Sequence, residues 1–331
     1  MLPHWKKNPI LGLGIGVGLL GAVALAVSRG TRRSPREPIP DSISPTIFAT
    51  RVAQTSKGQI VYHICGAGEP LVFLHGYFLG ASSYEWSKVY CHFAMGREVI
   101  APDLIGFGES ERPSQAMDAS DIADSIAELL RQVVGGRPVG LVASGLTSQI
   151  ALLLASRHPE LVSRLVLFMP TTLRSSEQRS VMGMGVAQGI PALKRFIYRN
   201  YLSRAPFIKN WLTRLGFAKP ENVTDETVSI LTTCAQQYGA EHAILGFLRN
   251  RRRFHVEDRL ANVSAPVHIL WPEAAKGFDL AEGYALCRKL PNASIHPLPE
   301  AGAFAPMEMP IEIGTAISSL LDADIPHASL A

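Results

Sequence analysis

Cysteine is scarce in this sequence and badly placed for pairing. The four thiols, Cys65, Cys91, Cys234 and Cys287, lie far apart and form no C-x-x-C pair, which argues against a disulfide framework and against a cysteine-ligated zinc site. Free, buried thiols are expected instead. An excess of charge of one sign is lacking too. The 32 Lys and Arg against 28 Asp and Glu leave a formal net charge of +4, too mild by itself to suggest a nucleic-acid partner. No internal repeat with a period of roughly 20–50 residues is visible, which excludes solenoids and propellers. With 47% hydrophobic and only 18% charged residues, the composition excludes disorder and suits a globular core. At 331 residues the chain is long enough for one large α/β domain with an insertion, or for two modest domains.

The amino terminus carries the strongest compositional signal. Ile10 to Val27 is an uncharged apolar run of 18 residues, preceded by Lys6 and Lys7 and followed by Arg29, Arg32, Arg33 and Arg36. A helix of that length spans roughly 27 Å, close to the hydrocarbon core of a thin bilayer. Ala24-Leu25-Ala26 resembles a signal-peptide cleavage site, but the run is longer than a typical signal h-region and is basic on both sides. A retained single-pass anchor over residues 1–29 and a membrane localisation are therefore expected. Lys6 and Lys7 oppose four arginines, so the charge bias only leans the following domain toward the cytoplasmic side. Gly12, Gly14, Gly16, Gly18 and Gly21 include G-x-x-x-G spacings, read here as small residues in a weak span rather than a helix-pairing face.

Residues 30–46, rich in Arg, Pro and Ser, read as a linker. Strand-like and helix-like stretches then alternate. Strands are expected at 59–65, 70–74, 98–101, 138–143 and 165–169, with helices at 83–95, 119–134 and 146–158. Residues 172–260 hold no convincing strand, only helical stretches broken by Gly and Pro. Alternation resumes over 261–322, with strands at 267–271 and 294–298 and helices at 280–290 and 311–321, before a short tail at 323–331. The pattern predicts an α/β fold whose mostly parallel sheet is covered on both faces, in two core portions (47–171 and 261–322) separated by a helical lid. Such an insertion sits above the carboxyl edge of the sheet, where these folds bind ligands.

Four segments carry a family resemblance: Leu71-Val72-Phe73-Leu74-His75-Gly76, the stretch Ala101–Ser110 (APDLIGFGES), the stretch Pro138–Pro159, and Pro297-Leu298-Pro299-Glu300-Ala301-Gly302. In this order and spacing they resemble the α/β-hydrolase superfamily, in its lipase, esterase and dehalogenase-like branch, over about residues 47–322. The resemblance implies a nucleophile on a sharp strand-to-helix turn, normally G-x-S-x-G. Matching this chain places Ala143 and Thr147 at the small flanking positions and Gly145 at the nucleophile, where no covalent ester can form. Ser144 as a displaced nucleophile would shift the register, putting Val142 and Leu146 where the turn needs small residues; Ser148 lies a turn into the helix. The family's histidine follows the last strand, and Gly302-Ala303-Phe304 puts Ala303 there. The family's acid follows the preceding strand, and Trp271-Pro272-Glu273-Ala274-Ala275 puts Ala275 there, with Glu273 and Asp279 nearby. Other histidines are His242 and His255 in the insertion and His268 and His296 in strands, and the strand pair is read as ordinary core or edge groups rather than catalytic bases.

The resemblance also implies an oxyanion-type pair of backbone N–H groups at Tyr77 and Leu146, with His75 and Asp103 bracing the loops. His75, Gly76, Ser144, Asp103 and Phe304 are the expected pocket residues, and neither a cofactor nor a metal is called for. The insertion is basic between Arg174 and Lys219, with nine Lys and Arg against Glu177 alone, interleaved with Phe196, Tyr198, Tyr201, Phe207, Trp211 and Phe217. Such a lid either rests on an anionic lipid surface or packs its aromatics inward. The reading is a membrane-anchored, non-catalytic α/β-hydrolase homologue binding an apolar or ester-like ligand or a protein partner. Its rivals are an active ester or lipid hydrolase using a displaced serine, and a structural subunit of a membrane complex.

Overall fold

The computed structural model describes residues 43–171, 191–249 and 254–322. Eight strands form one sheet: β1 (Ala49–Thr55), β2 (Gly58–Cys65), β3 (Glu69–Leu74), β4 (Arg97–Pro102), β5 (Val139–Ser144), β6 (Val162–Phe168), β7 (Val267–Pro272) and β8 (Ala293–Leu298). Their spatial order is β1-β2-β4-β3-β5-β6-β7-β8. β2 pairs antiparallel with β1 and β4, and every later pairing is parallel. A parallel sheet is covered on both faces, so its strands are continuous apolar runs rather than alternating ones. Alternate side chains of β3 divide accordingly: Val72 and Leu74 enter one core layer, Leu71 and Phe73 the other. β5 does the same, sending Leu141 and Ala143 to the first layer and Val142 to the second.

The helices over this frame are α1 (Ala119–Val133), α2 (Thr147–Arg157), α7 (Leu280–Cys287) and α8 (Pro310–Asp322). Between β6 and β7 lie α3 (Pro191–Ile197), α4 (Ala205–Trp211), α5 (Asp225–Gln236) and α6 (Ala240–Arg249). α1 begins in a capping box: the Asp121 N–H donates to the Asp118 carboxylate at 3.0 Å and the Asp118 N–H donates to Asp121 at 3.1 Å. Two orphan donors are thereby satisfied where the helix starts.

One expectation is corrected. Among the described residues no helix is long and apolar enough to cross a membrane. The longest of those named here, α1, has 15 residues and is amphipathic, so it reaches roughly 22 Å with one face polar. Among the described residues the chain thus has an α/β architecture without the expected transmembrane helix, and the expected single-pass membrane localisation is corrected with it. The apolar run Ile10–Val27 lies outside the described residues.

The strand β1 was not expected. Its sequence ATRVAQT is largely exposed, as befits an edge strand, and too polar to announce itself. The single helix expected over 83–95 is instead a chain of short turns, a 3-10 turn at Ser83–Trp86, one α-turn at Ser87–Tyr90 and a second 3-10 turn at Cys91–Phe93.

Candidate functional site

β5 ends at Ser144 and α2 begins at Thr147, leaving a two-residue turn between them. Gly145 takes φ +56 at its apex, the left-handed region that L side chains occupy only under strain of roughly 1–3 kcal/mol. Its N–H donates to the Phe168 carbonyl at 3.0 Å, and its own carbonyl accepts the N–H groups of Ser148 and Thr171, each at 3.2 Å. The turn is thus pinned to β6 and to its own helix. A Cβ built on Gly145 would meet no atom within 4 Å. Gly145 is itself half-exposed between the buried Ser144 and Leu146, so the position opens onto free space in front of the sheet.

The hydrogen bonding of Ser144 leads away from that space. As the next residue of its parity after Val142, it points to the second core layer, where its Oγ donates to the Glu85 carboxylate at 2.5 Å. The other Glu85 oxygen accepts the Gly76 N–H at 2.5 Å. Glu85 is 3% exposed, and burial pushes its carboxyl up to about 7, with the two hydrogen bonds pulling the other way. One buried carboxyl therefore clamps the loop after β3 to the end of β5. No sequence motif pointed to Glu85; its only signal is an acidic residue between the aromatics Tyr84 and Trp86, both buried.

The other loop residues brace the same edge. His75 is fully buried; its Nδ1 bonds the Gly76 carbonyl at 2.8 Å and its Nε2 accepts the Leu104 N–H at 2.9 Å. Burial lowers its pKa, with Asp103 opposing, so a neutral ring with hydrogen on Nδ1 fits both bonds. Both nitrogens are committed to backbone. Asp103 accepts the N–H groups of Ser83 at 2.6 Å and Glu109 at 2.7 Å. Tyr77 reaches across to the insertion, donating to the Ala243 carbonyl at 3.1 Å and stacking edge-on against Phe107 and Phe254. Burial raises its pKa well above the ordinary phenol. Phe304 packs edge-on to Phe78 at 4.8 Å and to Trp211 of α4 at 5.1 Å between centroids, closing an aromatic wall between the sheet edge and the insertion.

The sequence profile of the alpha/beta hydrolase family matches residues 71–313. The chain belongs to the α/β-hydrolase family. Over 106 residues it is 42% identical to a 2-hydroxymuconate semialdehyde hydrolase of Pseudomonas sp. (strain CF600), covering 32% of this chain and 38% of that one. The chain thus spans under two-fifths of that curated relative in the matched region. An uncharacterized hydrolase of Bacillus subtilis (strain 168) is 26% identical over 255 residues, 76% of this chain and 90% of its own length. Among solved structures, a bacterial membrane phospholipase A superposes with TM-score 0.68 at 21% identity, covering 95% of this chain and 96% of that chain. The epoxide hydrolase CorEH does so with TM-score 0.69 at 20% identity, covering 82% and 98%. At such identities the likeness to solved structures concerns the fold.

The two residues that the family resemblance puts at the acid and base positions of this α/β-hydrolase both carry methyl groups. Ala275, after β7, is 4% exposed and packs in the second core layer; Ala303, after β8, is half-buried against the same layer. Glu273 and Asp279 are exposed, and Asp279 is spent on capping α7, accepting the Ala281 N–H at 2.9 Å. His268 sits near the amino-terminal end of β7, bonded to Ser294 at 2.9 Å, far from the carboxyl edge that holds the turn. Ser148 is buried and donates weakly to the Ala143 carbonyl at 3.3 Å. Tyr198 and Phe217 are buried, and Phe207 and Trp211 lean on the first core layer. Basic groups of the insertion pair locally: Arg199 with Glu241, Lys209 with Asp225, Lys219 with Glu300.

Proposed function

We propose that this α/β-hydrolase-fold protein binds a small organic ligand with an ester, carbonyl or carboxylate oxygen at the turn after β5, and does not turn it over through a covalent intermediate. Gly145 carries the reading. It occupies the apex of a nucleophile-type turn, faces open space, and offers no atom to acylate. Ala303 supplies no general base, and Ala275 supplies nothing to orient one. What remains is a backbone turn facing open space beside the packed rings of Phe78, Trp211 and Phe304, apolar surroundings suited to an apolar body with one polar end. The named chemistries of the relatives, a semialdehyde hydrolase and an epoxide hydrolase, set the ligand classes to try first.

A second reading rests on one observation, the 2.5 Å hydrogen bond from Ser144 to a carboxyl pushed up to about 7. On that reading Ser144 is the nucleophile of an ester hydrolase and Glu85 its base. Geometry favours the first. Ser144 is 3% exposed, and a Cβ on Gly76 would fall 2.8 Å from its Oγ, so the loop covers it. Incubating the purified full chain with a fluorophosphonate probe separates the two. We expect no labelled serine, alongside saturable binding of an ester or carboxylate ligand by calorimetry. A label mapped to Ser144 and lost in Ser144→Ala would establish the second reading.

A further inference from the structure

A cluster on the other side of the β4 loop shares only Asp103 with the site above. Asp103 follows β4 and is fully buried. The loop behind it folds tightly over its carboxylate: Gly108 has φ +48, and a Cβ there would lie 1.9 Å from Asp103 Oδ2. Ser110 Oγ donates to the Asp103 carbonyl at 2.6 Å, closing the loop. The fold thereby carries Glu109 over His63, which β2 holds opposite Thr50 of β1. His63 is 2% exposed, and its Nδ1 shares a hydrogen bond of 3.1 Å with Thr50 Oγ1. Its Nε2 is buried without a hydrogen-bond partner among the described residues. It faces Glu109 Oε2 at 3.7 Å, too far for a hydrogen bond. One donor atom each from His63, Asp103 and Glu109 lies within 4.8 Å of the others.

We infer that His63 Nε2, Asp103 and Glu109 form a binding site for one divalent transition-metal ion of the zinc class. A ring that keeps its Nδ1 hydrogen for Thr50 presents a lone pair at Nε2, the form in which imidazole ligates metal. Two donors each about 2.1 Å from a shared ion stand roughly 3.4–3.7 Å apart at tetrahedral to trigonal angles, which matches the His63–Glu109 gap of 3.7 Å. One imidazole and two carboxylates suit zinc better than calcium or magnesium, which take oxygen ligands throughout. Two carboxylates neutralise a doubly charged ion. The 35% exposed side chain of Glu109 leaves a side open for a water as the remaining ligand. The ion would staple the β4 loop to β2. That loop also supplies the Leu104 N–H to His75 and the carboxylate that holds Ser83, so the staple supports the edge on which the candidate ligand site is built.

The test uses the full chain without a histidine tag, stripped with chelator and titrated with zinc chloride by calorimetry, with melting temperature followed in parallel. We expect about one zinc bound per chain, a raised melting temperature, and an absorption-edge spectrum showing one imidazole among oxygen ligands. Glu109→Gln, at the exposed end of the site, should weaken zinc by at least about tenfold and shrink the zinc-induced rise in melting temperature; His63→Gln should do the same to binding. No zinc uptake, or uptake equal in Glu109→Gln and the parent, would overturn the inference. So would binding abolished by His296→Gln, which would move the ion to the His268–His296 pair on β7 and β8.

Discussion

Placing a hydroxyl on the apex of the β5 turn tests whether that turn still has the shape of a working elbow. Gly145 holds φ +56, so Gly145→Ser incurs the strain of a non-glycine residue in the left-handed region, about 1–3 kcal/mol. No steric term adds to it, because a Cβ there has nothing within 4 Å. At roughly 2–4 °C per kcal/mol for a domain of this class, the melting temperature should fall by about 2–12 °C with the cooperative transition retained. The single variant still lacks an imidazole, so fluorophosphonate labelling at position 145 should be slow. The triple variant Gly145→Ser, Ala303→His, Ala275→Asp should label faster, since a serine with its base and orienter is activated by orders of magnitude relative to one without. Mass spectrometry locates the label. Global unfolding of Gly145→Ser, or labelling of the triple variant no faster than that of the single one, would refute the claim that the elbow geometry survives around a missing nucleophile.

The remaining predictions concern the supports of that turn. Glu85 is shifted from an ordinary 4.5 to about 7, a difference of about 3 kcal/mol between its protonation states. The folded protein holds this proton where the unfolded chain releases it, so the contribution is full below pH 4.5 and is lost as pH rises through about 7. Urea denaturation at pH 5 and pH 8 should show that fall in the parent and a much flatter profile in Glu85→Gln; equal slopes would contradict the burial argument. Gly108→Ala combines φ +48 with a Cβ 1.9 Å from Asp103 and should cost about 3 kcal/mol or more by chemical denaturation. Phe304→Ala removes a side chain only 7% exposed and in ring contact with Phe78 and Trp211. It should cost about 3–5 kcal/mol and weaken ligand binding in the same calorimetric assay.

The central strands were legible because a parallel sheet buries both faces: Leu71-Val72-Phe73-Leu74 reads as strand in any context and is fully buried. The turn at Gly145 was legible because the residues beside it, Ala143 and Thr147, are small where backbone meets backbone. β1 was not legible, since an exposed edge strand needs no apolar alternation. The run over 83–95 suggested one helix by composition, but Ser82 caps its first turn from an extended conformation and the segment breaks into short turns. Glu85 escaped notice for a deeper reason. A single acidic residue among aromatics has no pattern, and its role comes from a loop nine residues earlier and a strand end 59 residues later. His63, Asp103 and Glu109 likewise come together only through the pairing of β2 with β4 and the fold of one loop. Sequence spacing says nothing of either meeting.

Two features of the β5 edge run in opposite energetic directions, and their coexistence bears on function. Glycine at 145 avoids the strain that a side chain would incur at φ +56. Glu85 does the reverse. It keeps an ionisable group in a fully buried position at a cost of about 3 kcal/mol near neutral pH, and its two oxygens accept from both Gly76 and Ser144, which a glutamine with a single acceptor oxygen would not do. Glu85 bonds the backbone of Gly76 on one side and Ser144 on the other, so what its carboxyl maintains is the spacing between the loop after β3 and the turn after β5. Those two segments are the walls between which a ligand oxygen would sit. On the proposed reading, that spacing beside a turn with no nucleophilic side chain suits the binding of a ligand oxygen rather than its turnover.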